Sequence, residues 1–403
     1  MSSISTVLAI VLGLQVRLSI AQPPAITMPA AWPPADETVM IADQYLQDPL
    51  VTNALAYVQS VVDPSILGIL PSTYNNLANV TYHADATETC YWPRGGCTRA
   101  SDIEYCPSNY QWGLTYDDAP SINLVNGTNY NDTIALVNLL GELDIKATFF
   151  VVGTQAWYFP TGVQAILNED HHLASHTWSH HPMTSLTNGQ AIAELMYTQA
   201  LLYNTTGLLM RYWRAPYGDI DDRIRAIASA LGFVHVAWNA TFDSFDSDVA
   251  ANAAGYTTVM SRVTSWLNQR APLISLQHTL NQFESGTSAS VLRQIQNEGG
   301  IQNSIMTIPQ CLGDQMWYKN KNITKIFNSC TIPGGGCPDT FANTKTITNS
   351  TIASNTSSPT GVAPGNIIST TSTSSTTTSD ASPWNGFSLV SIPTILILSI
   401  LNL

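Results

Sequence analysis

From Trp112 onward, short apolar runs alternate with amphipathic stretches. The runs predict strands over Trp112–Tyr116, Ala147–Val152, His172–Ser175, Tyr212–Ala215, Phe233–Trp238, Leu273–Gln277 and Ser304–Ile308. Between them, apolar positions recurring every three or four residues predict helices near Thr133–Leu143, Gly162–Asn168, Ala191–Asn204, Ile220–Leu231, Ala254–Arg270 and Ala289–Glu298. Strand and helix in strict alternation imply parallel strands joined by right-handed crossovers, closed as a barrel or open as a doubly wound sheet. No glycine fingerprint of the dinucleotide or P-loop type follows the first strand, which removes the main reason for an open nucleotide-binding sheet. The expected fold is therefore α/β, a distorted (β/α) barrel.

The flanks follow other patterns. Val7 to Val16 is apolar and is followed by Ser19 and Ala21 in small-residue positions, so residues 1–21 read as a signal peptide cut before Gln22. Residues 22–89 form an N-terminal extension with a Pro-rich start. Leu50, Leu55, Val58 and Val62 then suit one or two helices, and no function can be read from this segment. The catalytic domain is expected over 90–342. Residues 343–386 are dominated by Ser and Thr and read as an unfolded, glycosylated stalk. The tail 387–403 is apolar, lacks a basic flank and is broken by Pro393. After small residues at 379–382 and a short polar spacer, it has the layout of a removable glycosylphosphatidylinositol signal.

Composition supports an extracellular setting. The chain has 403 residues, 44% of them hydrophobic, and only 11% charged, with Ser, Thr and Asn plentiful and a formal charge of −13. That mean field repels nucleic acid and anionic membranes and does not exclude a neutral or cationic polymer. Eight Asn-x-Ser/Thr sequons occur, at Asn79, Asn126, Asn131, Asn204, Asn239, Asn322, Asn349 and Asn355. Six cysteines, Cys90, Cys97, Cys106, Cys311, Cys330 and Cys337, flank a cysteine-free stretch and read as disulfides of open connectivity. None makes the Cys-x-x-Cys pair of a zinc cluster.

The chemistry lies at the predicted strand ends. Asp117 and Asp118 close the first strand, where parallel barrels gather functional groups, although two acids at a turn can simply cap a helix. His176 and His180 stand four apart, and both rings share one face if the segment turns helically. Two neutral imidazoles and one carboxylate leave positions open for water and substrate, as a catalytic divalent metal requires. Asp118 is the natural third ligand, and Asp117 is then free to act as base. His171, His172 and His181 read as surface residues or as supports behind the ligands. Taken singly, Arg214 reads as a surface ion pair and His278 as a satisfied core residue. Placed at strand ends in this order, they could steady a carboxylate base and protonate a leaving nitrogen.

The series Thr115-Tyr-Asp-Asp118, Ser175-His-Thr-Trp-Ser-His180, Arg214-Ala-Pro-Tyr217, Asp243 to Asp246, and Leu276-Gln-His278 resembles the polysaccharide deacetylases of carbohydrate esterase family 4. The resemblance spans about residues 90 to 320. The flanking cysteines and Cys311-Leu-Gly-Asp314 look like its fungal chitin deacetylase branch.

It implies metal-dependent removal of N-acetyl groups from chitin or a related N-acetylglucosamine polymer by a monomer, with zinc or cobalt as the metal. Asp118, His176 and His180 would be ligands, Asp117 the base, Arg214 its support and His278 the acid. Asp243 resembles the carboxylate that tunes His278. Tyr217, Trp178 and Leu276 would line the substrate, the Tyr217 backbone N–H helping to hold the oxyanion.

Ala119 stands where the family has Gly, and the stretch Thr241 to Ser247 lacks the Trp that ends the family's fourth motif. The aromatic wall therefore comes from Phe242 or Phe245 or is missing, and either Asp243 or Asp246 takes the acid's place. The competing readings are an O-acetyl esterase of the same fold and a non-catalytic wall-binding protein. Both share the barrel, and the second would keep the ligand set without turnover.

Overall fold

The computed structural model describes residues 22–75, 80–121, 123–125, 128–130 and 132–322. The signal peptide, stalk, tail, Cys330, Cys337 and the sequons Asn79, Asn126, Asn131, Asn349 and Asn355 lie outside the described residues. Among those described, no helix is long and apolar enough to cross a membrane.

Five parallel strands form the main sheet: Thr115–Ala119, Thr148–Val151, His172–Ser175, Tyr212–Trp213 and Val234–His235, paired in chain order. A second parallel group sets Leu273–Ile274 and Ser304–Met306 on either side of Gln111–Gly113. Two isolated parallel bridges, Asp117 with His278 and Asp243 with Leu276, join the groups beyond these strands. The ring so formed is a distorted (β/α) barrel, as the alternation of elements predicts.

The alternation of side chains along each strand builds two cores. Phe150, Ala174, Tyr212, Val236, Ile274 and Met306, one from each successive strand region, form a single cluster with Cys106, Ile308 and Cys311. Their strand neighbours Phe149, Val151, Leu173, Trp213, Leu273 and Ile305 join the larger cluster that the helices cover. The disulfide Cys106–Cys311, 205 residues apart in sequence, therefore sits in the first cluster, and Cys90–Cys97 closes a short loop.

The expected first strand Trp112–Tyr116 is split into Gln111–Gly113 and Thr115–Ala119, in different sheets. The strands expected over Phe233–Trp238, Leu273–Gln277 and Ser304–Ile308 end at His235, Ile274 and Met306. Three further boundaries differ for a local reason. The helix expected over Ala289–Glu298 begins at Gln282. Its first turns bury Glu284, Ser285, Thr287 and Ser288, polar residues that hide the helical period. The helix expected to reach Arg270 ends at Thr264, where the Ser265 hydroxyl donates back to the Arg262 carbonyl and Asn268 takes a positive φ. The strand expected to reach Ala215 ends at Trp213, because the chain then turns through Pro216 and Tyr217.

The extension shares the main core. Helix Pro49–Val61, capped by Asp48, buries Leu50, Val51, Ala54 and Val58 on one face and packs against helix Asn188–Thr206. Of the stripe read from the sequence, Leu50 and Val58 lie on this buried face, while Leu55 and Val62 are only partly buried and Val51 and Ala54 take their places.

Candidate active site

Asp117 and Asp118 lie at the carboxyl end of Thr115–Ala119, and His176, His180, Arg214, Tyr217, Leu276 and His278 follow strand ends within five residues, whereas Asp243 follows the 3-10 turn Ala240–Phe242. The Asp doublet sits in a register shift between Tyr116 and Ala119, a bulge that re-aims both side chains. Asp118 has φ 61°, and Thr177, His180 and Tyr217 also occupy the left-handed region, at 70°, 56° and 59°. Non-glycine residues rarely adopt that region, and when several meet at one place the surroundings hold them there. Residues 176–180 accordingly form a loop, not the helical turn that the spacing of the two histidines suggested.

The rings still converge. His176 Nδ1 donates to the Arg214 carbonyl at 2.9 Å, and His180 Nδ1 lies 2.9 Å from the Tyr217 hydroxyl. With Nδ1 engaged, the Nε2 atoms face each other at 3.2 Å and approach Asp118 Oδ1, at 3.5 Å from His176 and 3.2 Å from His180. Burial lowers the His176 pKa to about 3, so its ring is neutral. Asp118 Oδ1 is buried without a hydrogen-bond partner. A buried carboxylate oxygen with no donor, facing two imidazole nitrogens, is the donor set of a divalent metal. The three ligand atoms lie within 4.8 Å of one another, so the residues fit the ion.

Glu194 fixes the loop that carries both rings. Its carboxylate accepts from the Trp178 and Ser179 backbone N–H groups, each at 2.8 Å, and from the Ser179 hydroxyl at 2.5 Å. The sequence offered a faint signal for this role, an acid within a helix whose neighbours are apolar; Glu194 is 1% exposed.

Asp117 is buried and accepts from Arg214 Nη1 at 2.7 Å through Oδ1, while Oδ2 lies 3.6 Å from His176 Nε2. Burial pushes its carboxyl above the ordinary range, against the pull of Arg214 and His278. Arg214 is no surface ion pair. It is fully buried, with its guanidinium 4.2 Å from the Phe150 ring centroid and 5.4 Å from that of Trp238. Neither Phe242 nor Phe245, the residues expected to form an aromatic wall, takes part in this stack. Phe242 packs edge-on against Trp266, and Phe245 lies under Arg262 at 3.7 Å.

His278 is held by Asp246, not Asp243. Its Nδ1 lies 2.7 Å from Asp246 Oδ1, and its backbone N–H donates to Oδ2 at 2.9 Å. Burial opposes a charged ring here, but the Asp246 carboxylate outweighs it and holds the His278 pKa well above the ordinary value. Asp243 accepts instead from the Phe245 N–H and, at 3.3 Å, from the Trp238 indole N–H; burial pushes its pKa up to about 6. The physical reason is register. Pairing of Asp243 with Leu276 spends Asp243 on its own loop, and Asp246, three residues on, reaches the histidine.

Other expectations also change. Trp178 is completely buried: its indole donates to the Pro34 carbonyl at 3.1 Å and lies against Gly153, where even a Cβ would meet it at 2.6 Å, so it packs the core instead of lining a substrate. Leu276 is buried, with its backbone paired to Asp243. His171, His172 and His181 are buried too; His172 lies between Thr148 and the Trp317 carbonyl, and His181 beside Ser179.

Residues 105–236 match the family profile described as Polysaccharide deacetylase. Similar proteins include the chitin deacetylase of Amylomyces rouxii, 37% identical over 216 residues, which cover 51% of this chain and 49% of that protein. Chitin deacetylase 1 of Cryptococcus neoformans var. grubii is 35% identical over 238 residues, 56% of this chain and 48% of that protein. The chain spans about half the length of these curated relatives.

A solved structure, the chitin deacetylase from the fungal pathogen Colletotrichum lindemuthianum, is 22% identical with a TM-score of 0.48, over 57% of this chain and 100% of that one. The span matched by the profile holds the Asp doublet, both ligand-type histidines and Arg214. Asp246 and His278 lie beyond it and join the site only through the fold.

Proposed function

We propose that this chain hydrolyses N-acetyl groups on chitin or chitin oligomers, giving chitosan and acetate, with a divalent metal, zinc foremost and cobalt as an alternative, held by Asp118, His176 and His180. The observation that carries this reading is one rim shared by three assemblies: the Asp118–His176–His180 donor set, the Asp117–Arg214 pair and the His278–Asp246 pair. When bound, the metal supplies Lewis-acid polarisation of the acetyl carbonyl. Asp117 takes the proton of the attacking water on Oδ2, since Arg214 occupies Oδ1. Arg214, pinned by Phe150 and Trp238, keeps that carboxylate oriented and charged. The Tyr217 backbone N–H, turned by its left-handed φ, donates to the developing oxyanion. As the carbon–nitrogen bond breaks, His278 gives its Nε2 proton to the departing amine, Nδ1 being held by Asp246.

The disulfides Cys90–Cys97 and Cys106–Cys311 support an extracellular site of action. So does the similarity to fungal chitin deacetylases. Together with the sequence of the flanks, they support a glycosylphosphatidylinositol-anchored protein at the cell surface, acting on the wall as a monomer.

Acetate release from N-acetylglucosamine oligomers, compared with release from acetylated xylan, tests the substrate. The expected result is release from the oligomers at least about tenfold faster; equal or faster release from xylan contradicts it. Glu194→Ala is expected to weaken zinc binding by about 10–100-fold, because the ligand loop loses three hydrogen bonds. Calorimetric titration of the metal-stripped protein with zinc measures that loss.

A further inference from the structure

The extension does more than complete the core. Its segment from Ala30 to Thr38 is pinned at several points. The Ala30 N–H donates to Asp48 at 2.8 Å, the Pro34 carbonyl accepts from the Trp178 indole, and Asp36 accepts from both the backbone N–H and the hydroxyl of Thr38. Trp32 stacks on Trp178 with ring centroids 5.9 Å apart and meets Trp157 at 5.6 Å. Trp157 still exposes 42% of its surface.

This anchoring delivers Glu37 to the metal-ligand loop. The Thr154 hydroxyl donates to Glu37 Oε1 at 3.1 Å. Thr154 and its neighbour Gly153 are tied by their N–H groups to the carbonyls of Trp178 and Thr177, at 2.9 and 2.8 Å, between the two ligand histidines. Glu37 is partly buried, and burial pushes its carboxyl above the ordinary range. Among the described residues, no Lys or Arg lies within ion-pair distance of it. A partly desolvated carboxylate with only neutral donors, beside a reaction centre, is held at a cost that a cationic ligand would relieve.

The polymer in question gains one amine for every acetyl group removed. We propose that Glu37 is a specificity-determining residue that binds the ammonium group of a glucosamine unit flanking the unit under attack, so that partly deacetylated chains are preferred substrates. This inference rests on the deacetylase reading above. Trp157, exposed in the same cluster, offers an aromatic face for the sugar ring.

Glu37→Gln tests the proposal, because the amide oxygen can still accept from Thr154 and only the charge is lost. Two measurements apply: calorimetric binding of a fully deacetylated glucosamine oligomer, and kcat/KM for acetate release from fully acetylated and partly deacetylated oligomers of equal length. The expected result is binding weakened about tenfold in the variant, with the salt sensitivity of the wild-type interaction largely gone. The rate constant should fall about tenfold on partly deacetylated oligomers and less than about twofold on fully acetylated ones. Unchanged glucosamine binding, or an equal loss on both substrates, would overturn it. If the wild type releases no acetate from any oligomer yet binds glucosamine through Glu37, the deacetylase reading fails while the carboxylate contact stands.

Discussion

Replacing Asp117 with Asn is expected to lower acetate release from N-acetylglucosamine oligomers by about 10²–10⁴-fold, the usual worth of a positioned general base, while zinc still binds. The argument is one of division of labour within the doublet. Asp118 Oδ1 faces the two imidazole nitrogens, whereas Asp117 gives Oδ1 to Arg214 and keeps Oδ2 toward the site. An amide at position 117 can accept from Arg214 but cannot take a proton from water. Its cost extends to folding, because Arg214 is fully buried and would lose its counter-charge. Breaking such a pair costs about 3–5 kcal/mol. Rates are therefore to be compared on protein shown by circular dichroism to be folded and by elemental analysis to be metal-loaded. Zinc lost along with activity would instead make Asp117 a ligand.

His278→Ala is expected to cost a similar factor, and Asp246→Asn to move the pH profile. Asp246 holds the His278 pKa above its ordinary value, so the ring stays protonated through neutrality and loses its proton only on the alkaline side. Without that carboxylate, the alkaline limb of kcat should shift to lower pH. The acid limb belongs to Asp117, whose carboxyl burial raises, and should stay in place. Stability follows the same sign. A histidine with a raised folded-state pKa contributes fully below its unfolded value near 6.5 and loses that contribution as pH rises through the folded value. Wild type should accordingly lose more stability than Asp246→Asn between neutral and alkaline pH in denaturant titrations. An alkaline limb unmoved by Asp246→Asn would remove His278 as the acid, and the same shift in Asp243→Asn would restore the assignment that the hydrogen bonds oppose.

Much of this site was legible because each group sits at a strand end, and strand ends are marked by apolar runs. Asp117, Asp118, His176, His180, Arg214 and His278 all fall where the runs stop. What stayed hidden depends on contacts that no local pattern encodes. The choice of Asp246 over Asp243 is made by one bridge to Leu276. Trp178 sits inside a functional motif yet serves the core, and its neighbours Trp32 and Pro34 lie some 140 residues earlier, in a segment with no motif. Glu194 and Glu284 break the apolar period of their helices, and both are buried where they hold loops of the site: Glu284 accepts from the Leu280 N–H and from Asn281, just after His278. Buried acids of this kind are the clue that a periodicity reading treats as noise.

The central claim, that Asp118, His176 and His180 hold the metal on which N-acetyl hydrolysis depends, is tested most directly by titration. Wild-type protein is stripped with a chelator, and zinc is then added stepwise while acetate release from an N-acetylglucosamine oligomer is followed. The account predicts no release without metal and a rise that levels off near one equivalent, with His180→Ala silent at the same zinc. Release from the stripped protein, or zinc bound at one equivalent with no acetate formed, would contradict it.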